Sequence, residues 1–188
     1  MASQTPIAEF DSLLSNSEVL FVVFYRGHWC PFCQAWLRDL QAMSPSVASM
    51  GGKTVAITAQ PAEFLSQMRE RSGYTGDAIV DTENTLVPLM KERYELEVAI
   101  TERAGYAHGM AQPAVLVLRG GKASGGKEPV LEKWAIVPST MNIGGAKDRP
   151  ELQQVWENAR AQFQGQAKEH QQYTTKGFVG LLWGWVFG

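Results

Sequence analysis

Cysteine, net charge and long apolar runs are all scarce in this chain, and each scarcity argues against a class of protein. Two cysteines in 188 residues do not suit a disulfide-stapled secreted domain. The 17 basic and 19 acidic residues leave a formal net charge of −2, which gives no electrostatic basis for binding nucleic acid. The first six residues lack a charged stretch followed by an apolar one, so we expect no secretory signal and a cytoplasmic location.

Both cysteines lie in one short segment, Trp29-Cys30-Pro31-Phe32-Cys33, directly after an apolar run. Pro31 suits the first turn of a helix, so Cys30 is predicted at the helix N-terminus and Cys33 on the same face, within reach of a disulfide. The positive end of the helix dipole stabilises a thiolate, the form that attacks disulfides and peroxides. We therefore predict a lowered pKa for Cys30 and a more ordinary pKa for Cys33.

Other interpretations of the cysteine pair are weaker. A structural disulfide across so short a loop would remove little unfolded-state entropy. A zinc site would need two further ligands from histidines or carboxylates, and a zinc ribbon would show a second Cys-x-x-Cys or a His-x-x-x-His. Two ordinary core cysteines would not need a tryptophan, a proline and a helix start around them. We expect no metal.

Apolar β-branched runs alternate with helical periodicity along the chain. The predicted strands are 19–25, 54–58, 78–80, 114–118 and 130–137. The predicted helices are 31–50, 61–71, 86–94 and 150–163, with Asp81 or Thr82 capping the third, Asp148 capping the last, and a loop at 95–112. A β-α-β unit followed by a hairpin and a terminal helix predicts an α/β fold, a mixed central sheet with helices on both faces.

Two segments carry a resemblance to a known family. Residues 24–33, Phe-Tyr-Arg-Gly-His-Trp-Cys-Pro-Phe-Cys, resemble the peroxiredoxin-like (AhpC/TSA-type redoxin) branch of the thioredoxin fold, and residues 112–118, Gln-Pro-Ala-Val-Leu-Val-Leu, strengthen the match. The resemblance covers residues 8 to 163. It implies a thioredoxin-like fold, and it makes Pro113 the candidate for the cis-proline that opens the strand opposite the cysteine pair in such proteins.

The chain departs from both parent families at positions that matter for chemistry. Typical peroxiredoxins have a proline and a threonine or serine where this chain has Val23 and Gly27, so the hydroxyl that would bind peroxide is missing. They also place an arginine beside the thiolate, just ahead of the later strand that here begins after Gln112-Pro113, and Arg26 is the candidate replacement. Thioredoxins usually have a buried acid where this chain has Phe24.

Proton transfer must therefore come from other groups. His28 and His108 are the groups available near neutral pH, and for His108 a solvated loop position is the favoured interpretation. Trp29 and Phe32 flank the nucleophile and would shield it while offering an apolar docking surface. Core packing is the competing role for both aromatics, more so for Phe32.

The function predicted from these residues is thiol–disulfide oxidoreduction, with Cys30 as nucleophile and Cys33 resolving. The backbone beside Gln112 and Pro113 would pair with an extended substrate. No prosthetic cofactor is expected, only an external thiol reductant such as thioredoxin or glutathione. A thiol peroxidase that reduces hydrogen peroxide or organic hydroperoxides, a site adapted to one small molecule, and a non-catalytic binding scaffold remain as alternatives.

The C-terminal part differs from the rest. We expect a domain over residues 1–163, then a polar linker or helix extension and an apolar tail within 164–188. Residues 177–188 contain two tryptophans and two phenylalanines but are too few to span a bilayer as a helix. Such a tail must bury against its own domain, a second copy or a membrane surface. Self-packing or a homodimer is favoured over membrane contact.

Overall fold

The structure, a computed structural model, describes residues 5–121 and 129–175. The helices are α1 (Pro6–Ser15), α2 (Pro31–Ala48), α3 (Leu65–Ser72), α4 (Leu86–Tyr94) and α5 (Leu152–Phe163). The strands are β1 (Val19–Phe24), β2 (Lys53–Thr58), β3 (Asp77–Val80), β4 (Ile100–Thr101), β5 (Met110–Ala111), β6 (Ala114–Arg119) and β7 (Val130–Ala135).

The central sheet has the order β3-β2-β1-β6-β7. Strands β1, β2 and β3 are parallel to one another, whereas β6 and β7 are antiparallel to their neighbours. The parallel pair β1 and β2 is connected through α2, and β6 and β7 are adjacent in sequence and pair directly. This arrangement confirms the predicted mixed α/β sheet.

Both faces of the sheet are buried because its strands are apolar on both sides. Along β1, Val19, Phe21 and Val23 face a core shared with α2, α3 and α5. Leu20, Val22 and Phe24 face a second core shared with α1 and α4. Helices therefore cover both faces, as predicted, and the first core is the one that contains both cysteines.

Several predicted details were incomplete or wrong. The N-terminal helix α1 was not predicted, although Thr5 accepts a cap hydrogen bond from the Ala8 N–H and Pro6 opens the helix. Residues 95–112 contain the short β4–β5 pair. Asp148 does not cap α5, because the helix begins at Leu152 with Glu151 as its N-cap residue, and Asp148 has a left-handed φ of 65°.

Residues 164–175 return to α5 and β7. Asn158 donates to the His170 carbonyl at 2.8 Å, and Tyr173 donates to the buried Glu132 at 2.5 Å. Thr175 forms an antiparallel bridge with Pro150. The apolar tail 177–188 lies outside the described residues, so the predicted domain boundary and the role of the tail stay predictions. Within the described residues, no helix has the length and apolar character to cross a membrane.

Candidate active site

The two cysteines lie after β1, at the N-terminus of α2. Cys30 is the N-cap residue of α2, and Pro31 occupies the first helical position, as the sequence predicted. Both cysteines are free thiols, Cys30 at 1% exposure and Cys33 at 0%. The site is therefore a dithiol set into the core at a helix N-terminus.

Arg149 connects the two sulfurs, and sequence reasoning missed it. Its Nη1 lies 3.4 Å from the Cys33 Sγ and its Nη2 lies 3.9 Å from the Cys30 Sγ. Its guanidinium also lies 5.3 Å from the centre of the Trp36 ring. Trp36 Nε1 donates to the Pro150 carbonyl at 3.0 Å, which anchors the residue that follows Arg149. A buried positive charge thus spans the dithiol.

The pKa values of the two thiols move in opposite directions because the thiols share a hydrogen bond. That bond to Cys33, together with burial, raises the pKa of Cys30. Burial alone would raise the pKa of Cys33 as well, but the hydrogen bond from Cys30 and the charge of Arg149 outweigh burial and lower it. The predicted lowered pKa of Cys30 is therefore wrong, because the hydrogen bond with Cys33 and burial raise this pKa more than the charge of Arg149 lowers it.

Arg26 and Gln112, which the sequence singled out separately, form one buried contact. Arg26 donates from Nε and Nη2 to the Gln112 Oε1 at 3.0 and 2.7 Å, and from Nη2 to the Gly144 carbonyl. Arg26 is thus held by amide oxygens, and the arginine in hydrogen-bond contact with the sulfurs is Arg149. Gly145 keeps this contact open, since its φ is +87° and a Cβ there would lie 2.9 Å from Arg26 Nη2.

A tyrosine hydroxyl fills the space beside Gly27, the position at which the family's hydroxyl is missing. A Cβ on Gly27 would lie 2.5 Å from the Tyr106 hydroxyl. That hydroxyl accepts from Trp29 Nε1 at 2.9 Å and donates to the Arg26 carbonyl at 2.7 Å. Tyr106 belongs to the loop between β4 and β5, so a hydroxyl reaches the site from a part of the chain that showed no local signal.

Trp29 and Phe32 are half-buried and pack against the core that contains both cysteines. The Arg103 guanidinium lies 3.5 Å from the centre of the Trp29 ring. Phe32 lines a small cleft together with Trp36, Arg149 and Pro150. Each aromatic side chain is therefore both partly packed and partly accessible beside the dithiol.

His28 is occupied by contacts outside the dithiol. Its Nδ1 lies 3.0 Å from the Gln60 Oε1, and its ring stacks on Phe64 with centroids 4.8 Å apart. No hydrogen bond joins His28 to either sulfur within the described part of the chain. The predicted role of His28 in proton transfer is therefore not supported by a contact with either cysteine.

The cis bond expected at Pro113 is not found, and two backbone groups beside it are already paired. The described residues contain no cis peptide bond, so the bond before Pro113 is trans. The backbone there is also occupied, since the Pro113 carbonyl accepts from the Ile136 N–H and the Gln112 N–H donates to the Ala99 carbonyl. These intramolecular hydrogen bonds leave those two groups closed to an extended substrate.

Comparisons with known proteins agree with this architecture. Residues 7–120 match the model of the AhpC/TSA family. The peroxidoxin BcpB of Mycobacterium tuberculosis superposes with a TM-score of 0.57 at 13% identity, covering 83% of this chain and 84% of that one. AhpC of Enterococcus faecalis gives 0.55 at 16% identity, covering 84% and 80%. A comparison with curated proteins gives no match. The family match covers more than half of the chain, which therefore belongs to the AhpC/TSA family and is a thiol-dependent redox enzyme with a thioredoxin-like fold.

Proposed function

We propose that the protein is a dithiol oxidoreductase that reduces small disulfides, with Cys30 as the nucleophile and Cys33 as the resolving thiol. The observation that carries the proposal is the position of Arg149, whose guanidinium contacts both sulfurs at once. One charge can then stabilise a thiolate on either residue as the reaction proceeds. A site with a single reacting cysteine would not need this arrangement.

The first step uses the hydrogen bond between the thiols. Cys33 starts as the thiolate and takes the proton of Cys30, and the resulting Cys30 thiolate attacks one sulfur of the substrate disulfide. The substrate S–S bond breaks as the bond to Cys30 forms, and the departing thiolate takes a proton from water. The product is a mixed disulfide on Cys30. Cys30 is assigned the attack because it is the N-cap residue of α2 and is 1% exposed, whereas Cys33 is 0% exposed.

In the second step Cys33 attacks the Cys30 sulfur and gives up its proton, which the departing substrate thiolate takes. The bond between Cys30 and the substrate breaks, and the second substrate thiol leaves with a proton. Two electrons have passed from the dithiol to the substrate, which leaves a Cys30–Cys33 disulfide. An external thiol reductant such as thioredoxin or glutathione returns two electrons by the reverse exchange, so the cycle needs no prosthetic group.

Peroxide reduction is the second candidate, and Tyr106 favours it. Its hydroxyl supplies a hydrogen-bonding group beside the Gly27 position, where the family's missing hydroxyl would lie. In that reaction Cys30 thiolate attacks a peroxide oxygen, the O–O bond breaks, and water or an alcohol leaves, which gives a sulfenic acid. Cys33 then attacks the sulfenic acid sulfur and releases water, which forms the same disulfide.

Stopped-flow tryptophan fluorescence separates the two candidates, since Trp29 adjoins Cys30. The proposal predicts a rapid change with a small disulfide and a slow one with hydrogen peroxide. A rapid change with peroxide alone would establish the peroxidase, and no response to either oxidant would indicate a binding scaffold.

Single-thiol variants assign the roles within the pair. Cys33→Ser should accumulate a mixed disulfide on Cys30, because the resolving step is blocked, and mass spectrometry of the trapped species locates the bond. Cys30→Ser should lose turnover. If Cys30→Ser instead retained turnover and formed the adduct on Cys33, the assigned roles would be reversed.

A further inference from the structure

Three arginines converge on the dithiol from separate parts of the chain. Arg149 contacts both sulfurs directly. Burial lowers the pKa of Arg26, the two cysteines raise it, and the charges of Arg149 and Arg103 lower it further. Arg103 lies against Trp29, which adjoins Cys30. The site therefore gathers positive charge from the segment after β1, from the β4–β5 loop and from the segment before α5.

The hydrogen bonds that these arginine side chains make within the described residues go to neutral oxygens and to sulfur. The hydrogen bonds of the Arg26 side chain go to an amide oxygen and a backbone carbonyl, and those of Arg149 go to sulfur. The ion pairs of the described residues include none of the three arginines. Glu102 and Asp148 adjoin Arg103 and Arg149 in sequence, but both are exposed and make no such pair.

This imbalance is unusual because buried charges are normally paired. Arg26 and Arg149 are only 7% and 6% exposed, and the buried Nε of Arg149 has no hydrogen-bond partner. One ionised cysteine offsets one positive charge, so the cluster stays positive after the dithiol has ionised. Such a field attracts an anion and opposes a cation.

We propose that the substrate of this site is a small disulfide that carries a carboxylate, an inference that rests on the proposed function. Arg103 is the group that contacts the carboxylate: it is exposed, and its side chain forms no hydrogen bond or ion pair in the portion of the chain described. From its place on Trp29, Arg103 holds one end of the substrate while the S–S bond meets Cys30. Arg26 and Arg149 favour the anion at longer range.

Three disulfides of similar size and different charge test the inference. These are 3,3′-dithiodipropionate, which is anionic, 2-hydroxyethyl disulfide, which is neutral, and cystamine, which is cationic. Each rate constant for oxidation of the reduced protein is divided by the rate constant for the reaction of the same disulfide with dithiothreitol. This division corrects for differences in intrinsic reactivity among the three disulfides. The normalised rates should fall from the anion to the neutral compound to the cation, and added salt should compress the differences.

A matched pair of variants locates the effect. Arg103→Gln should lower the preference for the anion over the neutral disulfide by about two- to fivefold, the range of an exposed charge pair. Arg71→Gln removes one charge from the exposed end of α3 and should leave the preference unchanged. The wild-type salt dependence serves as a second readout that needs no substitution.

The outcomes separate this inference from the proposed function. Equal normalised rates for all three disulfides, without salt dependence, would overturn the substrate class and leave disulfide reduction intact. An anion preference that Arg71→Gln lowers as much as Arg103→Gln would overturn the role of Arg103. No reaction with any of the three compounds would overturn the proposed function and the inference together.

Discussion

Replacing Arg149 with glutamine removes the positive charge that contacts the sulfurs of both Cys30 and Cys33. The charge lies 3.4 Å from the Cys33 Sγ and 3.9 Å from the Cys30 Sγ. At an effective dielectric constant of about 20, a unit charge at about 4 Å stabilises a thiolate by about 4 kcal/mol. At about 1.4 kcal/mol per pKa unit, this is about three units, and desolvation of the arginine reduces the net effect to about one to three units.

The same substitution should slow disulfide exchange at neutral pH by a smaller factor than the pKa shift implies. Each unit of pKa increase lowers the thiolate fraction about tenfold but raises the nucleophilicity of the remaining thiolate about threefold. A shift of about one to three units therefore predicts a loss of about three- to thirtyfold in rate. The rate at high pH, where the thiol is ionised in both proteins, should be recovered.

The assay is the pH dependence of iodoacetamide alkylation of the reduced protein, read by mass spectrometry at each cysteine. Arg119→Gln is the matched control, because Arg119 is also a buried arginine, 7% exposed with an unpartnered Nε, but contacts the end of α5. The control should leave the alkylation profile unchanged. An identical profile in wild type and Arg149→Gln would refute the argument that this arginine sets thiol ionisation.

Three further predictions concern stability and the site's surroundings. The lowered pKa of Cys33 stabilises the reduced fold fully above the unfolded value of about 8.5, and this contribution is lost as pH falls through the folded pKa. The raised pKa of Cys30 stabilises the reduced fold below about pH 8.5, and this contribution is lost as pH rises through the folded pKa. The melting temperature of the reduced protein should therefore be highest near about pH 8.5. Cys33→Ala should remove the rise in melting temperature as pH increases towards that value. Gly145→Ala should destabilise the fold by about 1–3 kcal/mol in urea titrations, and by more than Gly144→Ala, which has a left-handed φ but no neighbour within 4 Å; equal losses would contradict the steric argument. Tyr106→Phe should remove the acceptor of the Trp29 indole N–H, cost about 1–3 kcal/mol and change the tryptophan emission, and an unchanged spectrum would show that the hydrogen bond does not hold the ring.

Local chemistry made most of the fold predictable. The central strands β1 and β6 are buried along their whole length and consist almost entirely of apolar residues, and α4 begins and ends at the predicted residues. Asp81 explains that start, since its carboxylate accepts from the Thr85 and Leu86 N–H groups. The β4 and β5 strands contain two residues each, too few for alternation to appear in a sequence.

The site was predicted only where its residues are close in sequence. Cys30 and Cys33 are three positions apart, and a helix start between them fixes their relation. Arg149 and Tyr106 come from loops and lie 116 residues from Cys33 and 77 from Trp29, so no local pattern marks them. Pro113 shows the opposite error, because the resemblance implied a cis bond that the surrounding chain does not adopt.

Peptide mass mapping after oxidation with one equivalent of a small disulfide tests the dithiol cycle most directly. We predict that a Cys30–Cys33 disulfide forms, that two substrate thiols are released for each protein molecule, and that added thiol restores both free cysteines. A protein that kept two free thiols, or that carried a stable substrate adduct with the other cysteine still reduced, would contradict the mechanism.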